Sequence, residues 1–145
     1  MKPGLQVALA AIVVAAAGAA FWNWKESPAP QDAAALSPGA PLVTITLPAG
    51  FSDSAIVGRR VFDAKCAACH GENAVGRNGV APPLIHPIYK PGHHADEAFQ
   101  RAAAMGAQAH HWPFGNMPPV QGVSRADIAN VVAYIREIQG ANGIE

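Results

Sequence analysis

Apolar positions change their spacing along this chain, and each change marks a different element. From Leu5 to Trp24 the chain carries Leu5, Val7, Leu9, Ile12, Val13 and Val14 among many alanines, without a charge. Roughly 20 such residues just suffice to cross a bilayer as a helix. From Lys25 to Pro41 the composition shifts to Pro, Ala, Ser and Gly. Pro28, Pro30, Pro38 and Pro41 rule out a helix interior and predict a semi-rigid, extended tether. Leu42-Val43-Thr44-Ile45-Thr46-Leu47 then alternates, is β-branched and is bounded by Pro41 and Pro48. It predicts one short extended segment, lying against the domain because no partner strand is in view.

Beyond Phe51 the spacing becomes helical. A first helix is predicted from a cap at Asp53 or Ser54 through Ala55, Ile56, Val57, Val61 and Phe62, with Val57 and Val61 on a narrow inward stripe. Gly71 to Pro87 is rich in Gly, Asn and Pro and reads as loop. A middle helix is expected from Asp96 to Met105, with Phe99, Ala102 and Ala103 inward and Gly106 at its end. A second loop follows, from Ala107 to Gly122. The last helix is the clearest. Ser124 and Asp127 form a capping box with Asp in place of Glu. Ile128, Val131, Val132, Ile135 and Ile138 recur at helical spacing, and Gly140 ends the run. No internal repeat is visible. The pattern is all-α: residues 1–24 as a transmembrane or signal helix, 25–50 as tether and extended segment, and 51–145 as a small helical domain.

Composition narrows the function. The 145 residues carry no net formal charge, which argues against a nucleic-acid binder. Acids and bases also balance past Gly50, so net charge gives no strong steering of a partner. Lys2 precedes the first apolar run, so the N-terminus is expected on the cytoplasmic side and the rest of the chain is expected to be exported. Phe21, Trp22 and Trp24 resemble the interfacial belt of a retained anchor. Ala17-Gly18-Ala19 offers a site for a cleaved signal peptide. The expected location is therefore a bacterial inner membrane, single-pass, with the domain in the periplasm. If the run is cleaved, the domain is periplasmic and soluble.

The chemistry concentrates in Cys66-Ala67-Ala68-Cys69-His70. Cys-x-x-Cys alone fits a redox dithiol, half a zinc site or a short disulfide. No βαβ pattern precedes it, and the chain has only these two cysteines. The His after the second Cys points to covalent haem c, with two thioethers and an axial imidazole. A sixth ligand is then expected. Of the three methionines, Met1 is terminal and Met105 falls in the middle helix, where a core position is expected. Met117 sits in Phe114-Gly115-Asn116-Met117-Pro118-Pro119, a rigid loop suited to hold a thioether on the iron.

From these residues the domain resembles a class I c-type cytochrome. The resemblance covers Phe51 to about Gly140. Gly58 and Phe62 match first-helix positions that in that family pack on the last helix, and Tyr134 matches its aromatic. By the same likeness Pro82 offers its carbonyl to His70, Leu84 packs on the haem, and Met117-Pro118 supplies the axial Met. The resemblance implies a single-electron carrier, not an enzyme, with one covalent haem c. Its expected partners are redox proteins at the same membrane, without nucleic acid or a small-molecule substrate. A haem-based ligand sensor, or the electron-accepting subunit of a larger oxidoreductase, remain alternatives. The departure from the family pattern is the histidine content: His86, His93, His94, His110 and His111. They are expected to cap loops or bond a haem propionate. The alternatives are a second metal site, or His110 or His111 replacing Met117.

Overall fold

A computed structural model describes residues 36–145, which form one compact unit. The expected span at Leu5–Trp24 and most of the expected tether lie outside the described residues. Among the described residues no helix is long and apolar enough to cross a membrane. They contain four α-helices and two single 3-10 turns, Glu72–Ala74 and Pro87–Tyr89. The helices are α1 (Asp53–Lys65), α2 (Ala67–His70), α3 (Asp96–Met105) and α4 (Arg125–Ala141). In place of strands there are two isolated antiparallel bridges, Arg77 with Ala81 and Ala107 with Met117. The all-α expectation holds for this part of the chain.

The frame is the crossing of α1 and α4. The 3.6-residue repeat of α4 brings Val131, Tyr134, Ile135 and Ile138 onto one face, where all are buried with Ala55 and Phe62 of α1. Fully burying a side chain of the Ile or Phe class stabilises by about 1.5–3 kcal/mol. Tyr134 stands between Phe51 and Phe62, with ring centroids 5.3 and 5.7 Å away. Gly58 makes the crossing close: a Cβ there would lie 1.9 Å from the Asn130 carbonyl oxygen on α4.

The inward face of α1 differs from the expected stripe. Val57 is 42% exposed and Ile56 is 40% exposed, whereas Ala55, Gly58 and Phe62 are buried. Small residues win because they permit the helices to touch at backbone distance. The cap also differs. Ser52, not Asp53 or Ser54, accepts from the Ala55 N–H at 3.2 Å. Glu137 fixes that serine by accepting from its hydroxyl at 2.6 Å. The capping box of Ser124 and Asp127 is present on α4. That helix passes Gly140 to end at Ala141, capped at Asn142.

The stretch read as extended lies against the domain. Asn142 closes both backbone groups of Thr46, accepting from its N–H at 2.8 Å and donating to its carbonyl at 2.7 Å. Residues 36–41, read as tether, are pinned as well. Asn78 donates its side-chain amide to the Leu36 carbonyl at 2.6 Å, and its N–H to Ala40 O at 2.9 Å.

Candidate functional site

The cysteine motif begins where α1 ends. The Cys66 N–H donates to Phe62 O at 2.8 Å, and the Cys66 carbonyl accepts from Cys69 at 3.1 Å and from His70 at 2.9 Å. That single turn, α2, puts the two thiols three residues apart, on one side of a helix. Arg77 steadies it from outside by donating to the Ala68 carbonyl. Burial pushes the Cys66 thiol up to about 11, with Cys69 a lesser cause.

His70 is buried. Its Nδ1 lies 2.9 Å from the Pro82 carbonyl oxygen. A carbonyl can only accept, so the proton belongs on Nδ1 and Nε2 keeps its lone pair. Desolvation holds the imidazole below its ordinary range, opposed by the weaker bond to Pro82. Neutral imidazole with one nitrogen committed to a backbone carbonyl is the state that binds a metal. Leu84 is set by the same loop, its N–H donating to Ala74 O at 2.9 Å.

Met117 is held by its backbone. It exchanges both bridge hydrogen bonds with Ala107, at 3.0 and 2.9 Å. Gly106, at φ 80°, makes room: a Cβ there would lie 2.5 Å from the Met117 carbonyl oxygen. Asn116 stiffens the loop, its side chain accepting from the Ala109 N–H at 2.9 Å.

Cys66, Cys69, His70, Pro82, Leu84 and Met117 all line one cavity of about 490 Å³. Its other walls include Phe62, Phe99, Ile128, Val131 and Ile135, so it is mainly apolar. A smaller groove beside Arg60, Lys65 and Gly122 contains none of these donors. One buried polar atom in the cavity wall lacks a partner: Trp112 Nε1. The Tyr89 hydroxyl is near it but outside hydrogen-bond geometry, and burial raises that phenol above its ordinary range, the contact with Trp112 opposing. The cavity therefore fits a large apolar group with a polar edge that is held by two thiols and an imidazole.

Residues 55–139 match the family model described as Cytochrome c. The chain belongs to the cytochrome c family. No curated protein and no solved structure matches it. A cytochrome c domain binds haem covalently, and Cys66 and Cys69 are the thioether positions of its Cys-x-x-Cys-His motif. The residues fit that group: two thiols on one turn, an imidazole with a free Nε2, apolar walls and an unpaired indole N–H.

Three positions lay outside the sequence reading or against it. Met105, expected in the core, is 70% exposed and sits at the cavity rim. Trp112 was not singled out. A Trp and Phe114 in a Gly- and Pro-rich loop were the available signal, and the two rings stack at 5.9 Å. Arg77 was also not singled out, and nothing in its local sequence marks it as the donor to the motif. Of the histidines, His86 does cap, accepting from the Ile88 N–H at 3.2 Å. The other four lie together across α3 (below).

Proposed function

We propose that this protein is a single-electron carrier on the exported face of a membrane, with His70 and Met117 as the two axial ligands of its haem. The observation that carries the reading is that Met117, on a loop, and His70, at the end of α2, line the same apolar cavity and are each held by a separate backbone partner. His70 is fixed by Pro82, and Met117 by the paired backbone of Ala107. Haem supplies a one-electron couple, and a thioether ligand raises its potential and closes the sixth position. The chain's part is to hold both ligands still, exclude water with Phe62, Leu84 and Ile135, and keep the imidazole in one tautomer. This function asks for no acid, base or nucleophile, so we read the protein as a carrier and not an enzyme.

The membrane side of the proposal rests on the uncharged run Leu5–Trp24 and its aromatic end. The partners would be redox proteins at that membrane, met through small, weak interfaces. Ala68, Val80, Pro118 and Pro119 are exposed residues near the motif and the Met loop, and they suit such a contact.

Met117→Ala tests the ligation. The oxidised wild type should show the weak absorption near the red edge that reports sulfur on the iron. The variant should lose it, lower its potential and bind carbon monoxide rapidly when reduced. An unchanged band and potential would show that another sulfur, that of Met105 at the same cavity, holds the sixth position, whereas a wild type without the band would point to an imidazole such as His111. Rapid carbon monoxide binding by the wild type would favour a ligand sensor instead.

A further inference from the structure

Four imidazoles from two loops meet on one side of α3. His93 and His94 lie in the turn before that helix, and His110 and His111 in the loop after it. The His93 and His94 rings are 4.7 Å apart between centroids. His111 lies 5.3 Å from His93 and 5.4 Å from His94. One donor nitrogen from each of His93, His94 and His111 falls within 4.8 Å of the other two. We propose that His93, His94 and His111 form a binding site for a divalent transition-metal cation of the imidazole-preferring kind, zinc(II) or copper(II), separate from the haem iron.

Three observations carry this site. His94 is the built member. Arg136 donates to its backbone carbonyl at 2.6 Å, and its own Nδ1 lies 2.6 Å from Ile88 O. A carbonyl only accepts, so Nδ1 is the donor, shared between Ile88 O and His93 Nδ1 at 2.8 Å, and Nε2 keeps a lone pair, as in metal-binding imidazoles whose other nitrogen is committed to a backbone carbonyl. Second, the spacing is close to the need. With metal–nitrogen bonds of about 2.0–2.1 Å, tetrahedral ligands sit roughly 3.3 Å apart. His93 and His111 are exposed and can turn the remaining distance.

Third, carboxylates do not explain the cluster. The neighbouring acids are engaged elsewhere, Asp96 with Arg136 at 2.9 Å and Glu97 with Arg125 at 2.9 Å. Three protein nitrogens leave a fourth position open to solvent or to an exogenous ligand. A metal there would join the turn before α3 to the loop after it, whose continuation carries Trp112 and Met117. The site rests on Met117 being the sixth haem ligand, because His111, which also lines the haem cavity, must be free of the iron.

The test uses the haem-loaded protein, treated with chelator and then dialysed against micromolar zinc(II), a redox-silent probe. One zinc per chain is expected, with a rise in thermal midpoint by mass action. The double variant His93→Ala/His111→Ala removes two exposed ligands. It should weaken zinc binding by more than about tenfold, since even losing an outer-shell partner costs about that much. His93 does not line the haem cavity, so His93→Ala alone should weaken zinc binding and leave the haem spectrum and metal-free midpoint unchanged. Copper(II) bound to the wild type should show imidazole nitrogen couplings in its electron paramagnetic resonance, absent in the variant. Zinc retained equally by both proteins would overturn the site. So would a wild type that retains none, the outcome expected if the imidazoles serve only the polar edge of the haem.

Discussion

Tyr134 is fully buried, yet it carries a hydroxyl that needs a partner. It finds one in Asn73, donating to Oδ1 at 2.9 Å. Asn73 can be there because it adopts φ 52°, a left-handed conformation that Asn tolerates better than most residues. The pair links the α1–α4 crossing to the turn that follows the haem motif. Burial pushes the phenol up to about 12, with Asp63 adding and Arg59 opposing. The sign of the consequence follows from linkage. An unfolded tyrosine ionises near pH 10, the folded one near 12, so the native state holds its proton longer. The stabilisation is complete below about pH 10 and is lost as pH rises from there through about 12. Tyr134→Phe should lower stability at neutral pH by about 1 kcal/mol, the net worth of one hydrogen bond. It should also flatten the alkaline decline in unfolding free energy. Tyr89, raised by burial in the cavity wall, keeps its own share. Denaturant titrations of both proteins from pH 7 to 12 would check this, and parallel alkaline slopes would refute the assignment to Tyr134.

At the scale of the element, the α1–α4 crossing sets where the haem motif and the cavity stand. Gly58 is where the crossing is tightest. A Gly→Ala change inside a helix ordinarily stabilises by about 1 kcal/mol through propensity alone. Here the new methyl would meet α4 backbone at 1.9 and 2.3 Å, atoms that cannot swing away as a side-chain tip can. Overpacking of this kind costs about 1–3 kcal/mol and sometimes more. Gly58→Ala should therefore destabilise the domain, lowering its midpoint by roughly 4–8 °C per kcal/mol. Gly50→Ala, which meets no atom within 4 Å, is the control. The helices themselves were legible. The repeat from Ile128 to Ile138, the box at Ser124 and the stop at Gly106 are local signals, and local signals fixed α3 and α4 to within a residue or so. On the inward face of α1 hydrophobicity favours Val57 over Gly58, whereas backbone proximity, a property of two helices together, favours the glycine. Met117 and His70 stand out by type and spacing. Arg77 and the Ala107 pairing do not, because their roles depend on which loops meet. The histidine pairs could be seen to flank α3, but not that their rings touch.

For the whole molecule, electron delivery depends on encounter as well as on the cavity. The domain past Gly50 has balanced charges, so long-range attraction adds little to encounter. Weak contacts of a neutral carrier would then gain most from being confined near the partner. Residues 36–41 are tied to the domain through Asn78, so they contribute no reach. If Leu5–Trp24 is retained as an anchor, residues 25–35 are the stretch that separates it from the tied segment. Eleven residues span at most about 36–40 Å when fully extended, enough to move a small domain across a neighbouring protein's face but not to a distant one. Deleting residues 25–35 in the membrane-bound protein should slow electron delivery to a partner in the same membrane. The reduction potential should stay unchanged, because no residue of the cavity is touched. Adding salt should alter the wild-type rate only slightly. A steep fall with ionic strength would point to segregated surface charge, and equal rates with and without residues 25–35 would mean that confinement plays no part and that the domain works as a free carrier.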